Sequence, residues 1–178
     1  MSKIRNNLMI LLVLGVLAIS AGVVNAAPPQ QRTMEKVRKE LVTLPYYGVF
    51  DNLAYKVDGD TVTLYGQVRK PITRQDAQRR VARIEGVERV VNNIEVLPVS
   101  SFDDSIRVRT YRAVFRSGSL YRYAMGANPS IHIVVKNGRV TLEGVVSNKM
   151  DSQLAYMAAN GVPGVFSVTN NLRIASQS

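Results

Sequence analysis

The chain contains one stretch twice, and that duplication limits its possible folds more than any other feature. Shifted by 78 positions, residues 57–68 fall without a gap on residues 135–146, so that Val62-Thr-Leu-Tyr-Gly66 overlies Val140-Thr-Leu-Glu-Gly144. The same shift carries Gln75 and Ala77 onto Gln153 and Ala155, and Gly86-Val87 onto Gly164-Val165. It also carries Val90, Asn92 and Asn93 onto Val168, Asn170 and Asn171. Self-similarity at one fixed offset marks a supersecondary unit used twice. Two copies are too few for a solenoid, so the chain reads as two small domains, each burying its own core.

Each unit has the same internal rhythm. Met34, Val37, Leu41 and Leu44 recur at helical spacing behind Thr33, a capping residue, and Pro45 ends the run. Leu53, Tyr55 and Val57 alternate with polar neighbours, Asp58-Gly59-Asp60 reverses the chain, and Val62, Leu64, Gly66 and Val68 return. A helix from Thr73 turns Ala77, Val81 and Ile84 inward and stops at Gly86; Val90, Ile94 and Val96 then write a third strand. The order helix, strand, strand, helix, strand predicts an α+β fold with helices packed on one sheet face. The second copy repeats it, with a helix near Ile106 and a longer connection through residues 117–125. A hairpin at Asn137-Gly138 follows, then a helix capped by Asp151 with Leu154, Ala158 and Val162 inward, and a last strand over residues 165–174. The boundaries read as a short leader over 27–33, a first domain over 34–97, a linker over 98–105 and a second domain over 106–176.

The N-terminus carries an address. Lys3 and Arg5 precede an apolar run over residues 8–19 and a small-residue ending at Val24-Asn25-Ala26. That pattern predicts a secretory signal peptide over 1–26, cut after Ala26. The alternative is an uncleaved anchor, because residues 8–24 approach the ~20 apolar residues of a membrane span. Without residues 1–26, 21 basic residues face 13 acidic ones. There is no cysteine, which excludes disulfides, a thiol nucleophile, a cysteine metal site and the lipid-modified cysteine of a lipoprotein. Each core must hold by packing alone.

Little in the sequence can catalyse. His132 is the only histidine; it alternates with Ile131 and Ile133 and is expected at a surface or sheet edge. No serine sits in a nucleophile elbow, and no glycine-rich loop leads to a phosphate-binding lysine. Asp58/Asp60 and Asp103/Asp104 suit turn and cap chemistry. We expect no enzyme, no cofactor and no metal.

At these residues the chain resembles two tandem BON domains, as in osmotically inducible and outer-membrane-associated periplasmic proteins of Gram-negative bacteria. The resemblance rests on the paired Val-Thr-Leu-x-Gly-x-Val strands, each followed by a helix and then by Gly-Val-x-x-Val with its Asn-Asn. It implies an α+β fold, an envelope location and a non-enzymatic role described as attachment to phospholipid or membrane surfaces. It supplies no catalytic residues. Gly66, Gly86, Asn92, Gly144, Gly164 and Asn170 are its structural positions. Gly66 and Gly144 are expected to let a helix approach the strand or to permit a bulge. One Asn of each pair should point under the helices and find a hydrogen-bond partner.

Charge carries the functional signal, because it is unevenly placed. Residues 34–97 hold 11 basic and 9 acidic side chains, whereas residues 98–178 hold 9 and 4. No acidic residue lies between Asp104 and Glu143. That span contains Arg107, Arg109, Arg112, Arg116 and Arg122, with Tyr121, Tyr123 and Met125 among them. On a helix Val108, Tyr111 and Phe115 form one stripe, and Arg109, Arg112 and Arg116 form the next. A basic helix edged with aromatics suits the headgroup layer of an anionic membrane, where guanidinium pairs with phosphate. The plainer alternative makes Val108, Tyr111 and Phe115 the helix's core face and the arginines its solvated back. The expected partner is therefore anionic phospholipid in the periplasm, bound mainly through Arg107, Arg109, Arg112, Arg116, Tyr121, Arg122 and Tyr123. The competing expectation is a protein–protein or chaperone-like module with envelope proteins as partners. Export argues against nucleic acid despite the basic pI.

Overall fold

The computed structural model describes residues 29–126 and 128–175; the expected signal peptide and its cleavage point lie outside the described residues. The first domain opens with α1 (Pro29–Val42), which begins before Thr33 and takes up most of the expected leader. Proline is pre-organised for a first helical turn, and the Gln30 amide ties that turn to the sheet by donating to the Val57 carbonyl at 3.2 Å. Val37, Leu41 and Leu44 are buried as expected, while Met34 stays at the rim. There follow β1 (Asn52–Asp58), β2 (Thr61–Val68), α2 (Pro71–Val81) and β3 (Arg89–Val96). β1 pairs antiparallel with β2, and β3 pairs parallel with β2, which the α2 crossover makes possible.

The second domain repeats this with α3 (Ser101–Arg116), a 3-10 segment (Gly118–Ala124), β4 (Ile131–Lys136), β5 (Arg139–Val146), α4 (Lys149–Asn160) and β6 (Ser167–Ile174). β5 and β6 lie 78 residues after β2 and β3, in the same topology. The helix expected near Ile106 starts earlier, because Ser100 caps it by accepting the Asp103 amide at 3.2 Å. Asp103 then serves the hairpin instead. Its buried carboxylate accepts the Asn137 and Gly138 amides at 2.9 and 2.8 Å, holding a turn in which both residues have positive φ. Likewise Asn148, not Asp151, caps α4. The inward face of α4 is centred on Ala155 and Ala159 rather than on Leu154 and Ala158, which are only partly buried.

Gly66 and Gly144 answer to a strand, not to a helix. At φ +112° and +121°, a Cβ on either would lie 2.0 Å from the carbonyl oxygen of Asn52 or Ser130, where the neighbouring edge strand begins. The close approach of two backbones sets the requirement.

The expectation of two self-contained cores needs one correction. The connection after α1 reaches across to the second domain, where Val49 and Phe50 pack against its core. The Ile133 amide donates to the Val49 carbonyl at 2.7 Å, and the Phe50 ring meets Tyr111 edge-on at 6.1 Å. Lys136–Glu95 and Arg69–Asp104 ion pairs, at 2.5 and 3.5 Å, flank this junction.

Candidate functional site

α3 has three faces, fixed by its sequence. Ile106, Thr110 and Val114 are buried against the sheet. Tyr111 and Phe115 turn toward the first domain's connection, their rings 4.8 Å apart. Ser105, Val108, Arg109, Arg112 and Arg116 are exposed. The expected stripe of Val108, Tyr111 and Phe115 therefore splits: Phe115 is buried, Tyr111 lies between, and Val108 faces solvent.

Three of the expected lipid-contacting residues are structural. Arg107 is only 3 % exposed; its guanidinium donates to the Val135 carbonyl and to Asp104, both at 2.6 Å. Tyr123 is buried and its hydroxyl donates to Asp151 at 2.6 Å while accepting the Ser147 amide at 2.8 Å. Arg122 lies over the Tyr123 ring, donates to the Tyr123 hydroxyl at 3.0 Å and pairs with Asp151. The Tyr123 hydroxyl first, and the Arg122 guanidinium with it, hold the Asp151 carboxyl below the usual carboxylate range. This network locks the 3-10 segment onto the start of α4. The longer connection of the second copy is thereby tied to the domain.

The remaining four come together. Arg109, Arg112 and Arg116 share the solvent ridge of α3 and, among the described residues, have no carboxylate within ion-pair distance. Arg112 and Arg116 border a groove of about 710 Å³ whose walls are Val49, Phe50, Tyr111 and Phe115, with Tyr121 at its rim. The walls are apolar and the mouth is cationic. Sequence reasoning missed Val49 and Phe50, which lie in the other domain; pairing across domains leaves no periodic signal along the chain.

One asparagine of each pair bonds the neighbouring helix and its own strand. Asn92 donates to the Arg74 carbonyl and the Gln78 side chain, both at 3.1 Å, and accepts the Ile94 amide at 3.2 Å. Asn170 does the same for Ser152 and Leu172. Each clamps the helix of its βαβ unit to the following strand. Gly86 and Gly164 have φ +86° and +87° in the turn that leads into that strand, a left-handed conformation suited to glycine.

His132 is on an edge strand, but it is not a surface residue. Its imidazole stacks 5.3 Å from the Tyr47 ring and lies with Nδ1 3.3 Å from the Gly48 carbonyl and Nε2 3.4 Å from the Tyr47 hydroxyl. A carbonyl only accepts, so Nδ1 carries the proton and Tyr47 donates to Nε2. Burial lowers the affinity of the ring for a second proton. Burial also pushes the Tyr47 hydroxyl up to about 12 and raises the Asp51 carboxyl, which accepts the Gly48 and Arg69 amides. Among the described residues, no cluster of three His, Asp or Glu side chains could hold a metal ion. None of the helices there is long and apolar enough to cross a membrane.

Comparison with protein families agrees with this architecture. The BON domain family matches the chain twice, over residues 31–98 and 103–176. Among solved structures, the chain is similar to CdsD, a structural protein of the type III secretion system of Chlamydia trachomatis. The identity is 11 %, with 82 % of this chain and 94 % of that chain covered and a TM-score of 0.32. A structure of the CdsD C-terminal domain is matched at 10 % identity, covering 80 % of this chain and 97 % of that one, with a TM-score of 0.28. No curated protein matches the chain. BON domains are generally non-catalytic and are associated with envelope and osmotic-stress proteins and with phospholipid binding. With one match on each half of its duplicated sequence, the chain belongs to the BON-domain family and carries two BON domains in tandem.

Proposed function

We propose that this protein is a non-enzymatic envelope-maintenance factor of the periplasm that attaches peripherally to anionic phospholipid through α3 of its second domain. One observation carries the reading: Arg109, Arg112 and Arg116 form an unpaired cationic ridge beside an apolar groove rimmed by Tyr121. A phosphodiester headgroup offers the oxygen acceptors that guanidinium donors match, and the aromatic rim fits the boundary between headgroups and acyl chains.

Near an anionic surface each such cation contributes on the order of 1 kcal/mol. Reversing two of them in Arg109→Glu/Arg112→Glu is expected to weaken vesicle binding by roughly thirtyfold or more. Flotation with vesicles of phosphatidylglycerol and of phosphatidylcholine reads this directly. Binding to the first and not the second, weakened by the double reversal and by salt, supports the proposal. An intact protein that fails to float with phosphatidylglycerol rejects it and leaves the protein–protein reading.

A further inference from the structure

The duplication supplies an internal comparison of surfaces. In the first copy the crossover helix and the turn after it carry Arg74, Arg79, Arg80 and Arg83 together with Asp76, Glu85 and Glu88. Arg79 pairs with Asp76, and Arg80 with Glu40 at 3.5 Å, the surface of a helix that faces water. At the equivalent positions the second copy has Ser152, Met157, Ala158 and Gly161, and Leu154, Pro163 and Phe166. All seven charges are gone. The clamp asparagine and the turn glycine beside them are unchanged, so the unit kept its fold while its outer face changed.

Two of the replacements are large, exposed and apolar. Met157 on α4 is 59 % exposed and Phe166 is 72 % exposed; Met150, also on α4, adds a third at 69 %. Phe166 lies 5.9 Å from the ring of Phe102, itself exposed in the first turn of α3. Bare backbone at Gly138 makes room for this pair, since a Cβ there would stand 2.6 Å from the Phe166 ring and 3.2 Å from Phe102, and Gly164 sets Arg109 Nη2 and the Phe102 ring within van der Waals reach of one point. α3 and α4 lie side by side in the helix layer of the second domain. Of the three described carboxylates on that layer, Asp103 and Asp151 are buried and Asp104 is committed to Arg107 and Arg69.

We infer that this helix layer enters the interface of an anionic bilayer, with Met150, Met157, Phe102 and Phe166 between the headgroups and Arg109, Arg112 and Arg116 on their phosphates. The inference rests on the proposed phospholipid attachment and adds a part that charge alone does not give. Adjacent apolar and cationic strips without free carboxylates match the layered chemistry of a leaflet. The apolar strip supplies binding that salt does not screen.

The chain has no tryptophan, so Phe166→Trp and Met157→Trp each provide a single indole reporter. Glu88→Trp places the same probe at the position in the first copy that corresponds to Phe166. On phosphatidylglycerol vesicles with brominated acyl chains, the first two are expected to shift to the blue and to be quenched, and the third to do neither. In about 1 M salt, where the screening length is about 3 Å, part of the binding should persist. Met157→Ser/Phe166→Ser should lower that persistent partition about tenfold or more. Vesicle-bound protein whose residue 157 and 166 probes stay unshifted and unquenched overturns the insertion and leaves attachment by charge standing. No binding of the intact protein to these vesicles overturns both.

Discussion

A single hydrogen at Gly144 decides how closely the first and second strands of the sheet can approach. A methyl group there meets the Ser130 carbonyl oxygen at 2.0 Å, with φ at +121°, so neither side-chain rotation nor a small shift relieves it. Gly144→Ala is expected to cost about 3 kcal/mol or more, read as a fall in Tm of the purified protein. The sequence announced the importance of Gly66 and Gly144 by repeating them, but not the cause, because the colliding atom belongs to the partner strand. Arg107 was legible by other means: it lies two positions from Arg109, about 200° round a helix. Spacing alone therefore sets it on the sheet side, away from the ridge of Arg109, Arg112 and Arg116. Charge counting gathered these four into one set, and helical geometry separates them.

β4 and the connection after α1 form part of the contact through which the two domains meet, and the chain's only histidine makes it sensitive to acid. His132 faces Tyr47, Asp51 and Glu143, and burial depresses its affinity for a proton in the fold. Below about pH 6.5 an unfolded histidine gains that proton while the buried ring resists it. The stability present above that pH is thus lost as pH falls, by up to about 1.4 kcal/mol per unit while the folded ring stays neutral. Asp51, raised by burial, acts in the opposite sense. Tm measured between about pH 7.5 and 5.5 should therefore fall, and the fall should be much smaller in His132→Gln. None of this could be read from alternation, which placed His132 correctly on the outer side of its strand. Alternation distinguishes two faces of a strand but cannot say that a second domain covers one of them. Element order and strand positions were legible throughout, because hydrophobic period and turn residues are local. The start of α1 was not, because it depends on tertiary anchoring of Gln30; the start of α3 rests on a local signal, the Ser100 cap, masked by Asp103 and Asp104 as rival caps.

The two copies differ in their surfaces while keeping one scaffold. The first has near-balanced charge and a salt-paired helix surface, and the second holds most of the excess positive charge and the apolar outer face. The hook formed by Val49 and Phe50 joins them, and its removal has a consequence for solubility. A protein cut down to residues 100–175 would leave the Ile133 amide open on the outermost strand and strip the cover from Tyr111 and Phe115. Such a fragment would carry both an unsatisfied strand border and an uncovered oily cleft, the two ingredients of self-association. Light scattering should find it forming larger species at concentrations where the full chain does not. The N-terminal half then acts as a built-in shield against self-association of its partner half.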